Sequence, residues 1–461
     1  MKVQASRFNF FIEDEGIKYL YNALTGNIIQ ILPEYEEIVK KLCTDRKNQI
    51  EPRNLSPDTQ AMVGPLLERG FLVSEELNEI DLLKIRYRKS FAEKTFSLVI
   101  EPTLACNFKC VYCFEEEPLP HSMSNKEEEA LIKFVERMFQ QEIFHGLKVS
   151  WFGGEPLLSV PVIDRLSNAF KKIVEDFKID SEISDGITYS AGLVTNGSLL
   201  TPEIFPKLLA WNIKNVQITI DGPAEIHNKN RPYKNGNGSF DTVFSNFLSF
   251  IKWRKENSHN IGITLRVNFY LEDRDKVATL LGDVPEMFRG DISVYFKHIF
   301  PKSSEWKADR RHSTCQSYDE ISKSEVYLSK LALEMGYNVK RFSRFGVGYY
   351  CPSSTLYHFE IDPHLNVYKC NVAMGNRPPA GKINLNGSLS TNIMELSKWL
   401  SIDPFEDEVC RNCKFLPLCM GGCPHSRIIG GRGCLSDTRA FNEAIKLVIK
   451  SEKIKQGGQN D

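Results

Sequence analysis

The sequence predicts an α/β protein centred on a parallel sheet, and three observations carry that expectation. From Phe96 to Ile299, six short β-prone runs alternate with five helical stretches, the pattern of successive βα units joined by right-handed crossovers. The 461 residues are 42% hydrophobic and 25% charged, the composition of a folded chain with room for roughly two to four units of ~100–200 residues. The 12 cysteines are unevenly placed, three between Cys106 and Cys113 and five between Cys410 and Cys434. Such clustering in a large chain reads as metal binding rather than disulfide bridging.

Residues 1–90 read as a small module. Phe8 to Ile12, Ile17 to Tyr21 and Ile28 to Leu32 are β-prone, with Glu15-Gly16 and Thr25-Gly26 at the turns between them. Pro33 sits in the first turn of an expected helix from Glu34 to Leu42, where its missing N–H costs nothing. Ser56-Pro57-Asp58 caps a second helix, which buries Met62, Leu66 and Leu67 and stops at Gly70 before a closing strand, Phe71-Leu72-Val73. This succession describes a winged-helix-like unit, with the charged stretch Glu75 to Lys94 as linker.

Residues 91–310 hold the alternating region. Its expected strands are Phe96 to Ile100, Lys148 to Phe152, Ile187 to Thr195, Asn215 to Ile220, Ile261 to Phe269 and Ile292 to Ile299. Helices are expected at Asn125 to Phe139, Pro161 to Phe177, Pro202 to Ala210, Phe240 to Lys255 and Asp275 to Phe288. Ligands of parallel sheets gather beyond the carboxyl ends of the strands, so the residues just after each strand are the ones to read for chemistry. Residues 311–350 form a bridge with a helix from Lys323 to Met335, 351–440 are cysteine-rich and loop-like, and 441–461 are a terminal helix and tail. The stretch Glu406 to Arg432 has too few apolar residues for a core of its own, so metal is expected to hold it.

With 58 Lys+Arg against 59 Asp+Glu, the net charge of −1 gives no basic field for nucleic acid. No apolar run approaches the ~18 residues of a membrane span, and the opening MKVQASRFNFFIEDEG lacks a secretory core and cleavage site. A cytoplasmic protein with reduced thiols is the expectation.

Directly after the first strand of the alternating region comes Cys106-Asn-Phe-Lys-Cys110-Val-Tyr-Cys113, a C-x3-C-x2-C run. Disulfides among thiols this close would be strained, and a zinc site wants four ligands. Three thiolates on a [4Fe-4S] cluster leave one iron open, able to bind a small ligand and pass it an electron. The run resembles the signature of radical S-adenosylmethionine (SAM) enzymes. That resemblance implies a partial (β/α)6 TIM-like barrel, SAM held by its amino and carboxylate groups on the open iron, a catalytic role for Cys106, Cys110 and Cys113, and Tyr112 lying against the adenine. Trp151-Phe-Gly153-Gly154-Glu155-Pro156 resembles the family's GGEP motif, whose glycines admit close backbone carbonyls and whose Glu155 would offset the methionine ammonium. Thr195-Asn196-Gly197 is similar to its SAM-contacting TNG segment. Ile218-Thr-Ile-Asp221-Gly222-Pro-Ala-Glu225-Ile-His227, followed by Arg231, resembles its S-x-D-G-p-x-x-H…R stretch with Thr219 in place of Ser. Arg266 and Asn268 match an R-x-N element that faces the cavity in relatives.

The second constellation is Cys410-x2-Cys413-x5-Cys419-x3-Cys423-x10-Cys434, with Cys351 and Cys370 upstream. By itself C-x2-C with C-x3-C is also open to a zinc ribbon, but seven cysteines are awkward for one tetrahedral metal and suit two cubanes. The spacing resembles the SPASM domain, the twin-cluster extension of peptide-modifying radical SAM enzymes. The resemblance implies that Cys410, Cys413, Cys419 and Cys434 hold a distal auxiliary cluster and Cys351, Cys370 and Cys423 a proximal one. The proximal fourth ligand is left between Cys315, the substrate and an open iron. Gly421 and Gly422 read as close-approach positions, and Cys43 as a buried apolar residue. Two departures stand out: Leu365 replaces the family's usual Gly, and Asn371 follows Cys370 where sulfatase-maturating relatives carry their presumed base, Asp.

The N-terminal unit resembles, by pattern, the leader-peptide recognition element of maturases for ribosomally made peptides, which adds the leader as a strand to a sheet edge. Together the resemblances imply three [4Fe-4S] clusters, SAM, a precursor peptide with a leader, and an electron donor such as flavodoxin or ferredoxin. The implied reaction is a 5′-deoxyadenosyl radical abstracting hydrogen from the peptide and a cysteine sulfur trapping the product as a thioether cross-link. A carbon–carbon or carbon–oxygen cross-link and formylglycine formation are the competing activities, the last disfavoured because the Asn371 amide accepts no proton. A non-catalytic zinc-ribbon binding protein is the alternative of another class.

Overall fold

The computed structural model describes residues 2–46, 50–91, 94–113, 121–142, 144–179, 187–299, 315–339, 350–374, 376–434 and 440–457. The N-terminal unit has strands β1 (Val3–Ala5), β2 (Asn9–Asp14), β3 (Ile17–Asn22), β4 (Ile28–Ile31) and β5 (Leu72–Ser74). β2, β3 and β4 form an antiparallel sheet in that order, while β1 pairs with β5. Helices Glu36–Cys43 and Pro57–Glu68 cover it, burying Leu66 and Val63 with Cys43 in the same core, while Met62 and Leu67 are half-buried. The expected linker is a helix, Glu79–Phe91. Its charge hides a helical stripe, because Ile80, Leu83 and Tyr87 fall three and four residues apart and are buried.

Six parallel strands follow in sequential order: β6 (Thr95–Ile100), β7 (Gly146–Trp151), β8 (Thr188–Thr195), β9 (Ile213–Thr219), β10 (Gly262–Phe269) and β11 (Ile292–His298). Ile100 lies opposite Trp151, Trp151 opposite Leu193, and Thr195 opposite Ile218. This register brings the segments after β6, β7, β8 and β9 to one rim. Phe96, Leu98 and Ile100 alternate into a core closed by Leu131, Phe134 and Val135 of the helix Asn125–Gln141, which a Ser124–Glu127 capping box begins. The helix expected from Asp275 to Phe288 is broken into Arg274–Asp283 and Glu286–Arg289, since Pro285 cannot donate and pushes Val284 out of helical conformation.

The sheet continues on both sides. β12 (Asn338–Val339) adds beyond β11, and β13 (His358–Ile361) runs parallel to β6, followed by antiparallel β14 (Asn366–Tyr368), β15 (Gly381–Ile383) and β16 (Leu389–Thr391). The cysteine-rich region is therefore hydrogen-bonded into the main sheet. Nor is Glu406 to Arg432 without a core: Phe405, Leu416, Leu418 and Met420 pack with Phe8, Ile12, Tyr21 and Leu83 of the N-terminal unit and with Phe441 and Ile445 of the terminal helix Phe441–Gly457. The expectation that metal alone holds this stretch overlooked apolar residues contributed from far away in sequence. Parts of the expected bridge and tail, 311–314, 340–349 and 458–461, lie outside the described residues, as does the Cys315 side chain. No helix among the described residues is long and apolar enough to cross a membrane.

Phe441 is 4% exposed, and its ring lies 4.5 Å from that of Phe10 and 5.1 Å from that of Phe415. Phe441→Ala should cost about 3–5 kcal/mol of unfolding free energy, measured by denaturant titration, and should speed proteolysis of the N-terminal unit; an unchanged midpoint would show the shared core to be unimportant.

Candidate functional site

The rim is built around the turn after β6. Lys109 and Val111 donate their N–H groups to Pro232 O and Asn230 O, while Asn107 O accepts from Lys234 N. Phe108 bridges Tyr233, their rings 4.9 Å apart and edge-on. The C-x3-C-x2-C loop thus borrows its shape from the segment after the helix Ala224–Asn230. From the other side Gly153 and Gly154 press against it. Gly153 has φ +106°, and a Cβ on Gly154 would stand 2.3 Å from Ala105 O and 2.6 Å from Leu104 O, so the close approach read from the glycines is present.

Glu155 is fully buried. Its carboxylate accepts from Thr195 Oγ1 at 2.8 Å, from Asn196 N at 2.7 Å and from Leu157 N at 3.1 Å, while its own N–H donates to Ala105 O at 2.9 Å. The expected countercharge to an ammonium is, in this geometry, first a clamp on three rim segments. Burial pushes its carboxyl above the usual range, opposed by these donors. Asn196 reaches onward, with Nδ2 2.8 Å from Asn107 Oδ1 and 3.9 Å from Cys106 Sγ. Asn107 Nδ2 in turn donates to Ser198 Oγ at 2.8 Å. Sequence reasoning missed Asn107 and Ser198, although both lie inside or beside quoted motifs.

A second network gathers the remaining expected residues. Tyr112 OH donates to Asp221 Oδ2 at 2.6 Å and accepts from Arg231 Nη1 at 2.7 Å and Asn268 Nδ2 at 2.9 Å. Arg266 Nε donates to Asn268 Oδ1 at 2.9 Å, its guanidinium 5.9 Å from the Tyr295 ring centroid. The resemblance assigned Tyr112 a ring against adenine; in the structure its hydroxyl is the hub joining the end of β9, β10 and the cysteine loop. His227, missed as a positioning residue, accepts the Asp221 N–H at Nδ1, while Nε2 meets Ser239 Oγ, which donates to Arg231 O.

The donors suit a cluster and a polar ligand. Burial pushes the Cys106, Cys370 and Cys419 thiols up to about 12, so at neutral pH they carry no charge unless a bound cation draws off their protons. Arg231 Nε and Asn230 Nδ2 are buried without a hydrogen-bond partner among the described residues. Of the remaining cysteines, Cys413, Cys410 and Cys434 lie near enough to Cys419 to raise its thiol further, and Cys351 and Cys423 near enough to Cys370. Gly422, at φ +74°, could not carry a Cβ, which would stand 1.8 Å from Gly433 O. Leu365 adopts φ +66° and is buried, so it holds the left-handed conformation for which Gly is preferred, at a cost of roughly 1–2 kcal/mol.

Residues 100–280 match the Radical SAM superfamily. The radical SAM cyclopropyl synthase TigE of Paramaledivibacter caminithermalis is 23% identical over 90% of this chain and 88% of its own length. A cysteine-type anaerobic sulfatase-maturating enzyme of Clostridium perfringens is 23% identical over 72% of this chain and 89% of its own. Among solved structures, native anSMEcpe with bound AdoMet and Kp18Cys peptide superposes with a TM-score of 0.58 at 21% identity, covering 77% of this chain and 99% of that one, a likeness of fold.

Two outcomes test the site. Gly154→Ala should displace Ala105 and Cys106 and lower both iron content and SAM affinity; full iron loading would contradict the packing. Burial pushes the His227 imidazole down to about 3, below its unfolded value near 6.5. The unfolded chain therefore binds the extra proton between those values, so the stability His227 contributes is complete above about pH 6.5 and is lost as pH falls toward 3. His227→Gln should lower the melting temperature at pH 7.5 yet flatten its decline in that window; parallel curves would refute it.

Proposed function

Residues 100–280 of this chain are a radical SAM domain, and on that premise we propose that the protein cross-links a ribosomally made precursor peptide, most directly by a cysteine thioether. When bound, a [4Fe-4S] cluster on Cys106, Cys110 and Cys113 together with SAM supplies a 5′-deoxyadenosyl radical. The chain's own groups then position and shield. Glu155 and Asn196 fix the rim beside Cys106, and Asp221, Tyr112, Arg231 and Asn268 form a polar wall beside it.

The observation that carries the reading is that Cys410, Cys413 and Cys434 neighbour Cys419 while Cys351 and Cys423 neighbour Cys370, a group of four and a group of three, most of them on or beside short helices that follow the sheet. The groups suit two auxiliary clusters, Cys410, Cys413, Cys419 and Cys434 supplying a full ligand set. Cys351, Cys370 and Cys423 leave one position, which a substrate thiol fits. Thioether formation removes one hydrogen from carbon and one from sulfur; the first would leave with 5′-deoxyadenosine, the second as a proton, and the one electron left over would pass to an auxiliary cluster, while the electron that opens SAM would come from an outside donor such as a flavodoxin or ferredoxin. A carbon–carbon bond is the second reading, favoured by the match to a cyclopropyl synthase along most of the chain. Formylglycine formation is disfavoured because Asn371, its side-chain oxygen 4.0 Å from Cys370 Sγ, is no base.

The three-stranded N-terminal sheet has β2 and β4 at its edges, and a leader strand would add there. Removing residues 1–90 would uncover Phe405, Leu416 and Phe441, so the leader is better removed from the substrate.

Anaerobic incubation with SAM, a reductant and the precursor encoded beside the gene, followed by tandem mass spectrometry, should show loss of two hydrogens from the core peptide. A thioether also removes one alkylatable thiol, whereas a carbon–carbon bond leaves every thiol reactive. Replacing Cys106, Cys110 and Cys113 by Ala should abolish SAM cleavage while auxiliary-cluster absorbance persists, and a leaderless precursor should be turned over far more slowly. An unmodified precursor in the presence of about twelve iron per chain, four for each cluster, would contradict the proposal.

A further inference from the structure

We propose that Arg427 makes the four-cysteine group the more easily reduced of the two auxiliary sites, by donating a hydrogen bond to one of its ligand sulfurs. The inference rests on the reading that both groups hold [4Fe-4S] clusters. Arg427 lies on the helix Pro424–Ile428, which begins at Cys423, a member of the three-cysteine group. Its backbone N–H donates to Cys423 O at 3.2 Å, but its side chain crosses to the other group. Nη2 donates to Cys410 Sγ at 2.8 Å, Nε to Gly421 O at 2.7 Å and Nη1 to Asp407 Oδ2 at 3.2 Å. The side chain is 15% exposed, and its Cγ lies 3.2 Å from where a Cβ on Gly433 would stand. The guanidinium is held on three sides and packed along its stem.

Asp407 has a separate task that fixes the geometry. Its Oδ1 accepts from Val409 N at 2.9 Å and Cys410 N at 3.2 Å, capping the helix Glu408–Asn412 that carries Cys410. One carboxylate therefore aligns the ligand's helix and the cation that bonds to the ligand.

Each cluster gains negative charge on reduction, so hydrogen bonds to its sulfurs and a nearby cation favour the reduced form and raise its potential. Arg cannot discharge itself by losing a proton. Among the described residues the three-cysteine group has no matching charged donor: the charges facing it are Glu360 and Lys369, of opposite sign, and Lys369 Nζ donates to the backbone carbonyls of Thr355 and His358. Around the four-cysteine group stand Arg427 and Asp407, with Arg7 near Cys413, and among the described residues only Arg427 donates from a charged side chain to a ligand sulfur. An electron reaching the three-cysteine group is drawn toward the four-cysteine group, whose Cys434 is exposed.

The test is an anaerobic redox titration, followed by electron paramagnetic resonance, of the full-length cluster-loaded protein and its variants Arg427→Gln, Arg427→Lys and Asp407→Asn. Arg427→Gln should shift one auxiliary cluster's midpoint to a more negative potential, and Arg427→Lys should shift it less. Asp407→Asn, which keeps a good helix cap while removing the opposing anion, should shift it the other way. The remaining two clusters should not move. Midpoints equal to wild type in variants with full iron and sulfide would overturn the role of Arg427. If Arg427→Gln loses iron, the opposite shifts of Arg427→Lys and Asp407→Asn decide. A wild-type protein with iron for fewer than three clusters would instead overturn the auxiliary-cluster reading.

Discussion

Glu155 sits fully buried at the end of β7 with three donors on its carboxylate and a backbone bond to the loop that carries Cys106. Leaving a carboxylate inside a protein without partners is prohibitive, whereas one whose lone pairs are taken by hydrogen-bond donors is tolerated and imposes its geometry on them. The ends of β6, β7 and β8 are locked together by that requirement. Everything else at the rim follows: Asn196 is aimed at Cys106 because its own N–H is held, and Gly154 must be Gly because the Ala105 carbonyl is drawn so close.

A second dependence runs between distant parts of the chain. The N-terminal unit and the cysteine-rich region, some three hundred residues apart, complete one apolar core, and Arg7 donates to the Arg411 carbonyl beside Cys410. A unit proposed to read a leader is thereby packed against the helices that carry Cys410 and Cys419. A strand added at the N-terminal sheet would be felt first by the residues around Phe10, Phe415 and Phe441.

The six parallel strands were legible because each is an apolar run with a helical segment behind it, and the motif residues fell just beyond strand ends, where sheet physics places ligands. β13 was not: His358-Phe-Glu-Ile is four residues long with two titratable side chains, and only pairing with β6 makes it a strand. The helix Glu79–Phe91 was hidden by its charge, and the core around Phe405 by the fact that its other half lies in the first hundred residues. Nor does a sequence show that the Glu155 carboxylate faces inward to Thr195 and Asn196, or that Arg427 turns away from its neighbour Cys423 to reach Cys410. Contacts of that kind depend on where the backbone carries side chains that are far apart in number.

On this proposal ten cysteines in three groups hold three four-iron clusters, one of them able to take SAM. Mössbauer spectroscopy of the iron-enriched, anaerobically purified protein, with and without SAM, tests it most directly. All iron should sit in four-iron cubanes at a loading of three per chain, with a single iron site of one cluster altered by SAM. A spectrum indifferent to SAM, or a protein carrying zinc in place of iron, would contradict it.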